Sequence, residues 1–228
     1  MSVRAWWPWR RDSAVRGTQP DWTQIDTWMW QQAAFTVLDL ETSGLDARCH
    51  HIVQIGAVRV ERGTIALGNL WSGLVRQQGK GSNDSLLIHE ISPSRQAAGQ
   101  ELQQVVQDFA VYAQNSLWMA WDADFDLAFL TPAWRAAGLS QPRPACLDLA
   151  DLAECVLPNW QGRRRGLDDC LAYCGLPAID RHDALGDALA SAQLLQVLIS
   201  RAQQQGLHAI GQARQAIRRN RQRQAAVF

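Results

Sequence analysis

The sequence predicts an α/β domain: a mixed sheet with helices on its faces. Three observations carry that expectation. β-type apolar runs come first and include a hairpin, later strand-length runs alternate with segments of helical spacing, and 228 residues suffice to bury one core without disulfide or metal staples. The first strand covers 34–40. IVQIGAVRV (52–60) and TIALGNLWSGLVR (64–76) follow, separated by the turn-like Glu61-Arg62-Gly63, and read as a hairpin beside a central strand. After Ser92-Pro93, the spacing of Leu102, Val105, Val106 and Phe109 predicts a helix over 94–114, leading into a short strand, SLWMA (116–120). A helix over about 124–137 ends near Gly138, and a strand follows around Ala145 to Leu149. Helical stretches at about 148–156, 167–174 and 183–203 complete the domain, with a further basic helix in the tail.

The chain divides into a Trp/Arg-rich extension (1–30), the domain (31–203) and a basic tail (204–228). Six of the 11 tryptophans fall in the extension (Trp6, Trp7, Trp9, Trp22, Trp28 and Trp30), where packing on the domain is the expected use of so much aromatic surface. The five cysteines form no C-x-x-C pair and are odd in number, which argues against a zinc ribbon and a secreted disulfide framework. Cys170 and Cys174 read as small core-facing residues. No signal-type apolar segment opens the chain, and no apolar run reaches the ~18 residues a membrane span requires, so a soluble, cytoplasmic protein is expected. The formal charge is zero, but residues 1–20 carry four Arg against one Asp and residues 201–228 carry six Arg and no acid, which leaves −9 on the body between them. Such ends suit polyanions or acidic partners, or are simply solvated.

The acids are concentrated at three places. In VLDLETSGL (37–45) the period of two puts Asp39 and Glu41 on one side of a strand and Leu38 and Leu40 on the other. Two carboxylates that close repel unless a cation lies between them, although an isolated D-x-E is more often a polar strand end. In WMAWDADFDLAFL, a strand runs into Asp122, Asp124 and Asp126 and then into a helix. In RHDALGDALASAQLL, His182 precedes a helix whose first turns carry Asp183 and Asp187. Either of these alone is weak, because helix dipoles favour acids in a first turn.

Together, Asp39-Leu40-Glu41-Thr42-Ser43-Gly44-Leu45, Phe125-Asp126-Leu127-Ala128-Phe129-Leu130 and His182-Asp183-Ala184-Leu185-Gly186-Asp187-Ala188 resemble, in order and spacing, the motifs of DEDDh 3′–5′ exonucleases. These are the proofreading epsilon subunits of bacterial DNA polymerase III and their stand-alone relatives, and the resemblance covers about residues 33–200. It implies a ribonuclease H-like fold with a five-stranded mixed sheet. It also implies a hydrolase that releases nucleoside monophosphates from single-stranded 3′ ends, with DNA preferred. Asp39, Glu41, Asp126 and Asp187 would be the metal ligands for two Mg²⁺ or Mn²⁺ ions and His182 the general base, a task suited to an imidazole. Oxygen donors favour those ions over zinc. Thr42, Gly44, Leu45, His89 and Phe125 would meet the substrate. Arg163-Arg164-Arg165 either hold phosphates or form a solvated loop. The chain departs from the family at Trp121-Asp122, where His-Asn is common; Trp121 either stacks on a base or fills the core. Three alternatives remain at this level: an exoribonuclease, a weakly active module, or a non-catalytic module bound to a polymerase or other partner through the Trp-rich or Arg-rich end.

Overall fold

A computed structural model describes residues 22–76, 98–139, 146–160, 166–177 and 183–226. Five strands form one sheet: β1 (Ala34–Thr42), β2 (Ile52–Glu61), β3 (Thr64–Leu74), β4 (Leu117–Ala120) and β5 (Cys146–Asp148). Their order is β3-β2-β1-β4-β5. The β1–β2 and β2–β3 pairs are antiparallel, and β1–β4 and β4–β5 are parallel. This is the five-stranded mixed sheet that the resemblance implies. The hairpin closes at Arg62 and Gly63, both at positive φ (53° and 74°), the backbone of a two-residue turn that follows the twist of the strands.

Helices cover both faces: α1 (Leu102–Tyr112), α2 (Ala123–Ala136), α3 (Leu149–Val156), α4 (Leu167–Tyr173), α5 (Ala184–Gln204) and α6 (Ile210–Ala225). Strand alternation divides the core into two layers. Phe35 and Val37 of β1 pack with Leu194, Leu195 and Leu198 of α5 and with α3 and α4. Leu38 and Leu40 point the other way, into a layer holding Val105, Val106 and Phe109 of α1 and Phe129, Leu130 and Ala133 of α2. Each fully buried side chain of this size contributes about 1.5–3 kcal/mol.

Of the helix expected over 94–114, residues 94–97 lie outside the described residues, 98–101 are not helical, and α1 occupies Leu102–Tyr112. The reason is a competing strand-like contact. Gln100 pairs with Val75, its N–H donating to Leu74 O (2.9 Å) and its carbonyl accepting from Arg76 N (2.7 Å). Among the described residues the strand near 145–149 covers Cys146–Asp148 and stops before Leu149, because the Asp148 carboxylate accepts from the N–H groups of Ala150 (2.8 Å) and Asp151 and starts α3 at once.

The two ends of the described chain lie against the domain. A 3-10 helix, Trp22–Thr27, brings Ile25 into the α5-side core, and buried Trp30 donates its indole N–H to Leu207 O (2.8 Å). Ile210, Ala213 and Ile217 of α6 join the same core. Cys170 is buried and Cys174 is half-buried against it, in keeping with a packing role. Trp6, Trp7 and Trp9 lie outside the described residues. Among those described, no helix is long and apolar enough to cross a membrane.

Candidate metal centre where β1 and β4 part

The β1–β4 ladder ends at Val37–Met119, while β1 runs on to Thr42. Beyond that point β1 keeps β2 on one edge only. Its last residues form one wall of a crevice at the carboxyl ends of two parallel strands, where open α/β sheets bind their ligands. Asp39 and Glu41 stand on the α5 side of this free segment, Glu41 buried and Asp39 half-buried.

Asp187 joins them because the start of α5 lies directly on the sheet. Gly56 of β2 is the register partner of Asp39, and a Cβ there would stand 2.1 Å from both the carbonyl carbon and the oxygen of Ala184. Only a residue without a side chain admits that approach. The helix start is also tied down chemically. Asp183 caps α5, accepting from Gly186 N (3.3 Å), and its other oxygen accepts from the side-chain amide of Gln54 (2.9 Å). Gln54, buried on β2 opposite Glu41, donates its second amide hydrogen to Ser72 Oγ (2.9 Å) on β3. Carboxylate oxygens of Asp39, Glu41 and Asp187 consequently lie within 4.8 Å of one another. Three anionic groups so close repel unless a cation is shared, and an all-oxygen donor set suits a hard divalent ion. The residues present fit such an ion.

Asp126 approaches from the opposite layer. It is buried near the start of α2 and its carboxylate accepts from the Leu40 N–H, so it meets β1 between the two strand acids while standing apart from the close trio. Burial first, and then the neighbouring carboxylates of Asp122 and Asp148, push the Asp126 carboxyl well above the usual carboxylate range; the backbone N–H bonds oppose this only in part. Asp122 turns the chain from β4 into α2 in the left-handed conformation (φ 56°, ψ 55°), which Asp tolerates better than most residues. Trp121 is half-buried against the α5-side core, the packing alternative for that residue.

The loop after β1 is compact. The Thr42 hydroxyl donates to Gly44 O (2.8 Å), and the His50 ring lies over Gly44, where a Cβ would be 2.3 Å from it. Leu45 projects into solvent at 85% exposure. Phe125 is half-buried beside Phe129, with ring centroids 5.2 Å apart. His182, His89 and Arg163-Arg164-Arg165 lie outside the described residues; His182 adjoins the capping residue Asp183 in sequence. Sequence reasoning missed Gly56, Gln54, Ser72 and His50. The available signal was a glycine and a glutamine inside the otherwise apolar strand IVQIGAVRV, where neither favours pairing.

A further acidic group borders this centre. Asp148 and Asp151 are buried at the β5–α3 junction, and Asp124 is exposed on α2. Arg221 of α6 reaches all three: it donates through Nε to Asp151 (2.6 Å) and lies 3.9 Å from Asp148 and 3.8 Å from Asp124.

Comparison with known proteins places this architecture. A family model described as "Exonuclease" (RNase T) matches residues 36–195. The DNA polymerase III PolC-type protein of Thermotoga petrophila is 32% identical over 167 residues, 72% of this chain and 12% of that protein. A DNA polymerase III subunit epsilon-like protein of Rhodobacter capsulatus is 30% identical over 189 residues, 82% of this chain and 26% of that one. The chain thus spans a small part of these relatives' length. In solved structures, E. coli exonuclease I in complex with a dT13 oligonucleotide aligns with TM-score 0.63 at 17% identity, over 76% of this chain and 42% of that one. Cell-death related nuclease 4 gives the same TM-score at 15% identity, over 75% of this chain and 64% of that one.

Proposed function

The chain belongs to the exonuclease (RNase T) family of nucleases, and from that premise we propose that it is a metal-dependent 3′–5′ exonuclease that releases nucleoside monophosphates from single-stranded DNA ends. The observation that carries this reading is the convergence of Asp39, Glu41 and Asp187 from a strand and a helix far apart in sequence. With Asp126 they would hold two Mg²⁺ or Mn²⁺ ions. Such ions, when bound, supply positive charge to the attacking water and to the leaving 3′ oxygen.

The chain's own residues do the rest. His182, next to the anchored cap of α5, takes a proton from the water as it adds to phosphorus. The bond from phosphorus to the 3′ oxygen breaks, leaving a 3′-hydroxyl on the shortened strand and a 5′-monophosphate as product. Gly44, under the His50 ring, and the exposed Leu45 place a compact, partly apolar loop beside the acids, suited to resting against a terminal nucleotide. Asp126 and the Leu40 N–H hold the two layers of the centre in register. Placing the acids on a strand and two helix starts fixes them better than a loop would.

The test incubates purified protein with single-stranded DNA or RNA carrying a 3′-terminal label, with Mg²⁺ or Mn²⁺, alongside Asp39→Ala and His182→Ala. Labelled monophosphate released first by wild type, and reduced at least about 10³-fold in Asp39→Ala, is the expected result. Equal background in all three proteins would sink the proposal, and faster release from RNA would reassign the substrate.

A further inference from the structure

The family match ends at residue 195, yet α6, beyond it, is built into the domain core through Ile210, Ala213 and Ile217. Its contacts fix its direction around the body. Asn220 and Gln224 donate to Glu154 (3.2 and 2.7 Å), Arg214 pairs with Asp26 (2.6 Å), and Arg221 is inserted among Asp124, Asp148 and Asp151. Asp124 shares the first turn of α2 with Asp126, so Arg221, 3.8 Å from Asp124, brings the C-terminal half of α6 to the border of the candidate metal centre.

The helix has no acid, and three of its arginines are left over. Arg218, Arg219 and Arg223 are exposed and make no ion pair among the described residues. Arg214, Arg218 and Arg221 are spaced by four and three residues and share one flank of the helix, while Arg219 and Arg223, four apart, share the outward face. Arg221 thus acts as a bolt: by engaging buried acids it holds the helix in place, with Arg218 on the flank nearer the centre and Arg219 and Arg223, one turn apart, on the outward face.

We propose that α6 is a phosphate track for the substrate strand, with Arg218, Arg219 and Arg223 contacting backbone phosphates upstream of the 3′ end. This rests on the nuclease reading for its substrate, single-stranded nucleic acid. Charge complementarity favours this occupant: a polyanion bound for the centre is attracted by a basic surface, and α6 supplies one at its border. Such contacts are independent of sequence, as trimming any 3′ end requires.

The experiment measures binding of a fluorescent 20-nucleotide strand by anisotropy across 50–300 mM salt in the absence of cleavage, using the full chain carrying Asp39→Ala. To this are added Arg218→Gln, Arg219→Gln and Arg223→Gln together, or the three Arg→Lys changes. Removing three contacts to a single strand should lower the slope of log affinity against log salt by about 2, which is about 100-fold weaker binding at 0.1 M salt; the lysine variant should keep most of the slope. Binding of a trinucleotide should change far less than that of the 20-mer. These side chains are exposed, and unchanged circular dichroism checks that the fold is intact. A glutamine variant with the parental slope overturns the proposal and frees α6 for an acidic protein surface. Cleavage by the chain with Asp39 intact is scored separately: a lost slope without cleavage keeps the track and removes the nuclease reading, and cleavage with an unchanged slope does the reverse.

Discussion

Gly56→Ala should disable the centre without touching any acid. The added Cβ would lie 2.1 Å from the Ala184 carbonyl carbon and oxygen, and ordinary contact begins at 3.4 Å, so the two backbones must separate by about 1.3 Å. Neither can rotate away, because the obstruction is main chain on both sides. The start of α5 is also held by Gln54 and by its packing on β1, so the shift is opposed and should cost about 1–3 kcal/mol of stability, as overpacking of a well-filled core does. Its larger effect is on Asp187, one turn into the helix. Moving one ligand of a 4.8 Å cluster by about an ångström should weaken divalent-ion binding about 10–100-fold and turnover by about 100-fold. Calorimetric titration with Mn²⁺ and thermal unfolding in chelator, run in parallel on both proteins, separate the two effects. Wild-type Mn²⁺ affinity in a folded Gly56→Ala protein would refute the claim that this glycine sets the position of Asp187.

Gly44→Ala makes a useful contrast, because its Cβ meets the His50 ring at 2.3 Å, a side chain able to swing aside; unfolding in denaturant should change by less than about 1 kcal/mol while the His50 ring resonances shift. Gln54→Ala removes the donor to the part-buried, non-capping oxygen of Asp183 and to the exposed Ser72 hydroxyl, and should lower stability by about 0.5–1.5 kcal/mol in denaturant titrations and weaken Mn²⁺ binding as well. The Tyr112 hydroxyl donates to Asn69 O (2.6 Å) and Ala57 O (3.3 Å), and burial pushes it up to about 12 from an ordinary 10.0. Its contribution is therefore complete below pH ~10 and lost as pH rises through ~12, and Tyr112→Phe should flatten the alkaline fall of stability in that window alone.

The strand and helix periods made the architecture legible before any coordinates, since a buried β1 must alternate and α5 must present leucines to it. The three acid motifs were legible for a different reason: each is weak alone, and their joint order and spacing resemble those of DEDDh exonucleases, which is what implied a shared metal site. What the chain does not spell out is how the parts are brought together. That Gly56 admits α5, that Gln54 ties its cap, and that the Leu40 N–H receives Asp126 all depend on pairs far apart in sequence, one of them a backbone group with no residue signature. The non-helical 98–101 follow the same rule, because helical spacing there loses to a strand-like contact of Gln100 with Val75 that no local pattern announces.

The topology explains why the acids come from two layers. Side chains on one face of β1 supply Asp39 and Glu41, and α5 on that face supplies Asp187, but a third direction is needed to surround a ligand at the strand's end. It becomes available only because β4 stops pairing at Met119, which frees the Leu40 N–H from the ladder and lets α2, starting just past β4, lay Asp126 against it from the other side. Extending the β1–β4 ladder by two residues would satisfy that N–H within the sheet, close the crevice and leave Asp126 buried without its donor. The short β4 is thus what allows a closed sheet interior and an open acidic centre to share one strand, and the adjoining short β5 leaves Asp148 and Asp151 where Arg221 can balance them.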